Sequence, residues 1–403
     1  MTSEQRTRSL ARVDVNAAPV RPLRVLITNR ILTGRTGTEV YVRDLSSSLL
    51  GRGHLPIVYS PHLGAIADEI RASTVPVVSD VSRIGETPDI IHGHHGLETL
   101  VALLAFPRVP AIQLCHSWLG WADAPLKFPR VARYIAVDRT CRDRLVFEHG
   151  LPDDAVHVRL NAVDLARFRP RDPLPPRPRR ALVFSNAAGG RAAHLDAISR
   201  VCAAEGIAVD VAGSRSGNVL ERPEDALGQY DLVFAKAKAA LEAAAVGASV
   251  VLCDAHGAGP MLTTRNVREL RPLNFGIRTL RERPSVEVLA REVAHYDPAD
   301  AAAVSRLVRE EAGHETLVDE LVALYEDVLA ERRGVTDDPV AELRAASLYL
   351  QTLQGPLHQR DLLSGVFRGL LKVPLVRPLL RRRADREGAG HPLHELLKLF
   401  DGA

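Results

Sequence analysis

The chain has few cysteines, few aromatic residues and no long apolar run, and each deficit excludes a class of protein. Four cysteines occur, at Cys115, Cys141, Cys202 and Cys253. None lies within metal-ligand spacing of another, which argues against a zinc site, and their apolar or helical surroundings are typical of core residues in a reducing compartment. Because no run of 18 apolar residues occurs, no membrane span is predicted. Aromatic residues, at 4%, leave few stacking platforms from which a ligand can be read.

The charge balance and the length give further limits. A net charge of +3 over 403 residues gives no reason to expect a nucleic-acid partner. A chain of this length is expected to form two or three domains. The first 21 residues are polar and contain no apolar block, so they predict a disordered tail and neither a signal peptide nor an anchor. These features together predict a cytoplasmic protein.

Short apolar runs alternate with helical patterns over residues 22–169. The predicted strands are "LRVLITN", "LPIVYS", "VPVVSD", "PDIIHGHH", "PAIQLCHS" and "RYIAVD". Helical patterns separate most of them, among them "GLETLVALLAF", and "RTCRDRLVFEHG" follows the last. This alternation predicts a parallel sheet that is covered on both faces by helices.

The same alternation restarts after a proline-rich break, "PRDPLPPRPRR", which is typical of a stiff linker. The strands "ALVFSN", "IAVDVAG", "YDLVFAK" and "ASVVLCD" follow, and the chain is predicted to be all-helical after Pro284. We therefore predict an α/β fold with two Rossmann-like domains facing each other across a cleft, where ligands of such sheets bind. The predicted division is a tail at 1–21, a first domain at 22–169, a linker at 170–180, a second domain at 181–333 and an extension at 334–403.

The extension combines helical and basic features. Its first part, "AELRAASLYLQTLQG", is predicted to be helical, and Val366 to Arg383 carries six basic residues and no acidic ones. Pro374 and Pro378 prevent one continuous helix there. Basic and apolar residues together favour contact with a membrane surface, which would place the protein at the inner face of the membrane. A broken segment that packs on the protein, with its arginines solvated, explains the composition equally well.

A glycine-bearing turn runs directly into a helix at "GRTGTEVYVRDL". The turn at Gly37 and Thr38 directs free backbone N–H groups toward the predicted cleft, where they can bind an anion. Glu39 lies in the first helical turn, and a carboxylate at this place can act on a ligand. Alternatively, Thr38 caps the helix and Glu39 only complements its positive end.

Further candidates lie at other strand ends. His116 ends a predicted strand, and active-site residues of parallel sheets lie at the carboxyl ends of their strands. A lone histidine at such a place is nevertheless more often structural. His92, His94 and His95 lack a carboxylate or cysteine at metal-ligand spacing, so we expect them to line the cleft or to cap helices.

In the second half, Gly190 and Arg191 follow a strand in a glycine-rich segment and can cradle a phosphate. Lys236 and Lys238 lie at a helix start, against the dipole preference, so they are predicted either to bind an anion or to be simply solvated. Glu242 follows on the same helix, and one carboxylate can accept hydrogen bonds from two vicinal hydroxyls. The segment "DAHGAGPM" is predicted to be a second glycine-rich loop at the same pocket.

Several of these segments, in this order, resemble the GT-B glycosyltransferases of family 4. They are "GTEVYVRDLSSSLLGRGH", "PDIIHGHH", "AIQLCHSW" and "ALEAAAVGASVV", and the most specific is "RYIAVDRTCRDRLVFEHGLPDDAVHVRLNAVDLARFRP". The resemblance spans roughly Leu23 to Arg332. It implies a nucleotide-sugar held mainly by the second domain, an acceptor held mainly by the first, retention of the anomeric configuration, and no cofactor or metal.

The resemblance also assigns roles to individual residues. It places the Gly37–Thr38 turn at the diphosphate and the transferred sugar, with His116 as the histidine that contacts the reacting sugar. Glu39, in the same turn, is the second predicted catalytic residue. Glu242 matches the second of two glutamates of the family, the one that binds the ribose. The first would fall at Phe234 and is missing, which leaves the choice between retention and inversion open. No lysine follows Arg191 where the family has one.

The prediction is a hexosyltransferase-like enzyme of carbohydrate biosynthesis that uses a UDP- or GDP-sugar and a small-molecule, lipid-linked or glycan acceptor. Two alternatives remain: a nucleotide-sugar epimerase, which needs paired acid and base carboxylates in the cleft, and a non-catalytic nucleotide-sugar-binding relative, which the missing glutamate favours. A nicotinamide dehydrogenase is disfavoured because no GxGxxG follows the first strand of either half.

Overall fold

The computed structural model describes residues 21–189, 192–371 and 376–387. The predicted N-terminal tail, except Arg21, lies outside the described residues, and so do the predicted phosphate-binding residues Gly190 and Arg191. Across these described ranges, no helix combines the length and apolarity that a membrane crossing needs.

The first half forms a seven-stranded parallel sheet in the order β3-β2-β1-β4-β5-β6-β7. Its strands are β1 (Arg24–Thr28), β2 (Leu55–Tyr59), β3 (Val77–Val78), β4 (Ile90–Gly93), β5 (Ala111–Cys115), β6 (Val131–Ala136) and β7 (Val156–Val158). The helices are α1 (Gly37–Gly51), α2 (Ala65–Ala72), α3 (Gly96–Ala105) and α4 (Arg139–Asp143). The predicted parallel sheet is confirmed, and only the short edge strand β7 escaped the sequence pattern.

The second half forms a five-stranded sheet in the order β12-β11-β10-β8-β9. Its strands are β8 (Arg180–Phe184), β9 (Ala208–Ala212), β10 (Leu232–Ala235), β11 (Ser249–Asp254) and β12 (Gly257–Met261). The helices are α5 (Ala193–Ala204), α6 (Pro223–Ala226), α7 (Ala237–Val246), α8 (Val267–Leu270), α9 (Val286–Val293) and α10 (Pro298–Glu311). All pairs are parallel except β11 with β12.

The prediction of a glycine-rich loop at "DAHGAGPM" was wrong for its second part, because β12 is an antiparallel edge strand. A Cβ at Gly259 would lie 2.4 Å from the carbonyl oxygen of Thr279. The glycine therefore permits a close backbone approach within the sheet layer, which a sequence pattern alone does not distinguish from a loop.

Helix α11 (His314–Glu331) returns from the second half to the first. Its buried side chains, including Leu321, Tyr325 and Val328, belong to the core beneath β1. The helix lies within the predicted second domain, 181–333, but its packing ties the end of that segment to the first sheet. The two halves are therefore connected twice, by the linker and by the segment that leads from the second half into α11.

The extension contains two helices, α12 (Pro339–Leu371) and α13 (Val376–Glu387). The beginning of α12 packs on the first domain. Glu342 accepts hydrogen bonds of 2.6 and 3.1 Å from the buried guanidinium of Arg130. Ala346 is buried in the same hydrophobic cluster as Ile91 of β4. The first part of the extension is therefore an integral part of the domain, while residues 372–375, between the two helices, lie outside the described residues.

Candidate functional site

A cavity of about 430 Å³ lies between the two sheets. Its walls come from the start of α1, the segment after Asn161, the end of β8, the start of α7 and the end of β11. The charged residues at its walls are Arg35, Arg43, Asp44, Arg167, Lys236, Lys238, Glu242, Asp254 and His256. The carboxyl ends of parallel strands thus face this space from both halves, as ligand sites of open α/β sheets require.

The start of α1 forms one wall of the cavity. The helix begins at Gly37 and its N-cap is Thr36, so the expectation that Thr38 caps the helix was wrong. Thr38 lies in the first turn of α1 and, unlike Thr36 and Gly37, does not line the cavity. A Cβ at Gly37 would meet no atom within 4 Å, so packing within the protein does not require glycine there. The open space in front of Gly37 leaves the helix start free for the close approach of a ligand.

The carboxylate of Glu39 is fully buried and does not line the cavity. One oxygen accepts hydrogen bonds of 2.8 Å from the backbone N–H groups of Thr33 and Gly34, and the other accepts one of 2.8 Å from that of Thr36. This arrangement fixes the turn that precedes the helix. These contacts favour a role for Glu39 in positioning the turn. Its predicted catalytic role stays a prediction.

The Glu39→Ala variant is expected to lose about 2–5 kcal/mol of stability, because three backbone donors at a buried turn lose their acceptor. Urea unfolding measures this loss. The control is Asp196→Ala, which removes an exposed carboxylate from the first turn of α5 and should change stability by less than about 1 kcal/mol. Equal effects of the two variants would show that Glu39 contributes only to the helix dipole.

The start of α7 forms the opposite wall. A single residue, Lys236, separates the end of β10 at Ala235 from the start of α7 at Ala237, and Ala237 has a positive φ of 50°. Phe234, where the resemblance places the missing glutamate, is a buried core residue of β10. A carboxylate at this position would lie in the hydrophobic core, and the connection between β10 and α7 consists of Lys236 alone.

Lys236 is neither free nor simply solvated. Its ammonium lies 2.6 Å from the fully buried carboxylate of Asp254 at the end of β11. Asp254 also accepts a hydrogen bond of 2.7 Å from the backbone N–H of His256. Burial by itself would raise the pKa of Asp254, but the hydrogen bonds from Lys236 and His256 bring it below its usual value. The lysine is thus held in one place at the cavity wall.

Lys238 belongs to an ionic network that joins the two halves. Its ammonium lies 3.4 Å from the carboxylate of Asp44 on α1 and 4.0 Å from that of Glu242. Asp44 also pairs with Arg43 at 2.7 Å and with Arg167 at 3.3 Å. Burial tends to raise the pKa of Asp44, but Lys238, Arg43 and Arg167 outweigh it and lower the pKa. The network brings three cations around one carboxylate at the cavity wall.

Glu242 is buried on α7, five residues after the helix start. Burial raises the pKa of its carboxyl to about 7, and Lys238 opposes that rise. The carboxyl group is therefore partly protonated near neutral pH. The ammonium of Lys238, at 4.0 Å, is at the limit of ion-pair distance. Its oxygens retain capacity to accept hydrogen bonds from a ligand in the cavity.

His116 follows β5 directly and is half-buried. Its backbone N–H donates a hydrogen bond of 2.8 Å to Asp123, and its Nε2 lies 2.7 Å from Nδ1 of His94. The two imidazoles are stacked, and the ring of Tyr41 packs edge-on at 5.1 Å. Burial lowers the pKa of His116 to about 3, so the imidazole is neutral near pH 7. It packs against Tyr41 of α1, does not line the cavity, and can donate or accept a hydrogen bond.

The neighbouring histidines form a buried cluster. Nδ1 of His92 lies 2.5 Å from the hydroxyl of Tyr325, and Nδ1 of His95, the N-cap residue of α3, accepts a hydrogen bond from the backbone of Arg30. Burial lowers the pKa of His92 to about 3 and that of His95 to about 4. Within the described ranges, no group of three or more His, Cys, Asp or Glu side chains is arranged to hold a metal ion.

Sequence reasoning missed two central residues of the site. Asp44 lies seven residues after Gly37, two helical turns further along the same face of α1, and this spacing is the signal that could have found it. Arg167 lies in the segment "NAVDLARFRP", which the sequence singled out only as a family feature. It pairs with Asp44 and also, at 3.0 Å, with Glu224.

Comparison with known proteins finds one family model that matches part of the first half of the chain. Residues 35–167 match the family model Glycosyltransferase Family 4. No curated protein matches the chain in sequence.

Two solved structures are similar to the chain at low sequence identity. A glycosyltransferase from Rickettsia africae ESF-5 is 13% identical, with a TM-score of 0.58 over 77% of this chain and 99% of that chain. A protein titled UDP-N-acetylglucosamine 2-epimerase, from Listeria monocytogenes, is 12% identical, with a TM-score of 0.49 over 79% of this chain and 100% of that chain. The first likeness confirms the two-domain fold, and the second is too distant to bear on function.

Proposed function

We propose that this chain, a family-4-type glycosyltransferase of the GT-B fold, transfers a sugar from a nucleotide-sugar donor to the hydroxyl of an acceptor. One observation carries the proposal: the starts of α1 and α7, two lysines and a buried carboxylate converge on a single cavity between the sheets. Such a cavity offers N–H groups and cations for a diphosphate and an acceptor of hydrogen bonds for a sugar.

Glu242 would bind the ribose of the donor through its two vicinal hydroxyls. Beyond the charged groups, the cavity is bounded by Val219, Leu220 and Pro223, whose apolar surface suits one face of a nucleotide base. Either a uracil or a guanine base is compatible with this wall, so UDP- and GDP-sugars are the proposed donors.

The diphosphate would lie between Gly37 and the start of α7. Lys238 is held there by Asp44, and an incoming diphosphate would take over part of that ion pair. As the bond between sugar and phosphate breaks, negative charge grows on the leaving diphosphate. Fixed cations and helix N-termini stabilise that charge, so the proposed reaction depends on no metal. Retention of the anomeric configuration is proposed from the family, and product analysis decides it.

A nucleotide-sugar panel tests the proposal. Calorimetry with UDP, GDP and their sugars identifies the donor, and mass spectrometry after incubation with acceptor glycosides identifies the product. A new glycoside supports the glycosyltransferase, and NMR of its anomeric proton gives the stereochemical outcome. An isomerised nucleotide-sugar would show an epimerase. Absence of binding by any nucleotide would contradict the proposal altogether.

A binding-only relative is the second candidate, and the missing first glutamate favours it. The buried Phe234 of β10 occupies the position at which the family has the carboxylate that approaches the transferred sugar. If the protein only binds, it should bind the nucleotide-sugar donor but release no nucleotide from it, whether or not an acceptor is present.

The second part of the extension is proposed to contact an anionic membrane from the cytoplasmic side. Of its basic residues, Arg377 and Arg381 to Arg383 lie on α13, Arg368 lies on α12, and Lys372 lies outside the described residues. Truncation after Arg332 is unsuitable as a test because it would leave the buried guanidinium of Arg130 without Glu342. Substitution within the full chain avoids that damage.

Replacing Arg381, Arg382 and Arg383 by serine should abolish co-sedimentation with phosphatidylglycerol vesicles at low salt. High salt should release the unaltered protein in the same way, because salt screens the attraction. The control is a triple variant of exposed arginines in the second domain, Arg222, Arg268 and Arg291, which should bind vesicles normally. Unimpaired binding by the α13 variant would rule out α13 as the anchor.

A further inference from the structure

Both tryptophans of the chain lie in the loop that follows His116. The loop residues Trp118, Leu119 and Trp121 are 36%, 64% and 51% exposed. A chain with 4% aromatic residues thus places its two largest rings at the surface, next to the predicted catalytic histidine. Burying them in the core would contribute more to stability, so their position calls for a ligand.

The loop is rigidly built. The hydroxyl oxygen of Ser117 accepts hydrogen bonds of 3.1 Å from the backbone N–H groups of Leu119 and Gly120. The buried guanidinium of Arg144 donates to the carbonyl oxygens of Ser117 and Gly120 at 2.6 and 2.8 Å. Asp123 ties the end of the loop to the backbone N–H of His116. A ligand that contacts the rings therefore does not need to order the loop first.

A guanidinium accompanies each indole. Arg30, in the segment after β1, lies 5.2 Å from the ring of Trp121, and Arg278, from the second half of the chain, lies 5.8 Å from the ring of Trp118. Arg278 is itself fixed by an ion pair of 2.6 Å with Asp143. Trp118 therefore adjoins the second half of the chain, and both rings have hydrogen-bond donors beside them.

We infer that Trp118 and Trp121 form the acceptor-binding platform and that the acceptor presents a saccharide ring to it. A saccharide has an apolar face of C–H groups that fits an indole and a rim of hydroxyls that fits guanidinium donors. The loop continues directly from His116, so the platform adjoins the residue that is predicted to contact the reacting sugar. This inference rests on the proposed function, since it identifies the second substrate of that reaction.

The position of the two tryptophans supplies a direct readout. Selective excitation of tryptophan reports on this loop alone, because no other tryptophan exists in the chain. The probes are methyl glycosides of glucose, galactose, mannose, rhamnose and N-acetylglucosamine, each titrated with and without UDP or GDP. Saturable quenching or a spectral shift with at least one glycoside is expected, and Trp118→Phe and Trp121→Phe should each remove part of it.

Trp118→Ala and Trp121→Ala should raise the KM for the acceptor about ten-fold, which corresponds to the loss of one stacking contact. Donor affinity in calorimetry should stay unchanged. Leu343→Ala, which truncates an exposed leucine on α12, is the control and should leave both quantities unaltered. Donor binding that persists while no glycoside changes the fluorescence would overturn the platform and leave the proposed function intact. A blue shift caused by phosphatidylcholine–phosphatidylglycerol vesicles, without a response to glycosides, would overturn it in favour of membrane docking.

Discussion

The His116→Ala variant is expected to bind the donor nearly as well as the unaltered protein and to turn it over about ten to a thousand times more slowly. The departing sugar develops positive charge and the diphosphate negative charge. We propose that the neutral imidazole, at the carboxyl end of β5, hydrogen-bonds a sugar hydroxyl next to the reacting carbon and that this contact strengthens as charge develops. Steady-state kinetics and calorimetry on the same preparation separate turnover from binding.

The control for His116 is His295→Ala, which removes an exposed histidine at the end of α9 that only approaches Glu292 at 3.6 Å. It should alter neither quantity. Full turnover by His116→Ala would show that the histidine is structural. A variant that loses both thermal stability and donor binding would also contradict a catalytic role. That result would show that His116, stacked on His94, stabilises the structure of the site.

The Glu242→Ala variant is expected to bind the nucleotide about ten-fold more weakly, or worse, because the ribose hydroxyls lose a charged acceptor. Calorimetry with the donor nucleotide measures the loss. Glu98→Gln is the matched control, since Glu98 is equally buried, on α3, and does not line the cavity. Unchanged affinity in Glu242→Ala would remove the ribose assignment, whatever happens to turnover.

The same residue predicts a dependence on pH. Burial raises the pKa of Glu242 from 4.5 to about 7, so its favourable contribution to folding is fully present below pH 4.5 and is lost as the pH rises through about 7. Ribose binding by the carboxylate has the opposite trend and weakens as the pH falls below about 7. Glu242→Gln should therefore be more stable than the unaltered protein above neutral pH and bind the nucleotide with a flat pH profile. Thermal unfolding across pH tests the first effect.

The fold class followed from the sequence. Short apolar runs such as "LRVLITN", "PDIIHGHH" and "ALVFSN" are typical of buried parallel strands, and their alternation with helical patterns was sufficient to predict two parallel sheets. The short strand β7 and the glycine-containing strand β12 were missed. Their edge positions weaken the apolar pattern, and close backbone approach at Gly259 resembles a turn.

The sequence also indicated candidate residues at strand ends and helix starts, namely Gly37, His116, Lys236, Lys238 and Glu242. The contacts that each of them makes are visible only in the folded protein. Glu39 is engaged by the backbone of its own turn, and Lys236 is held by Asp254. Asp44 meets Lys238 because α1 and α7 face each other from different halves of the chain. Contacts between groups nearly two hundred residues apart depend on how the two sheets are joined. Local patterns report burial along one element, so they leave those contacts unspecified.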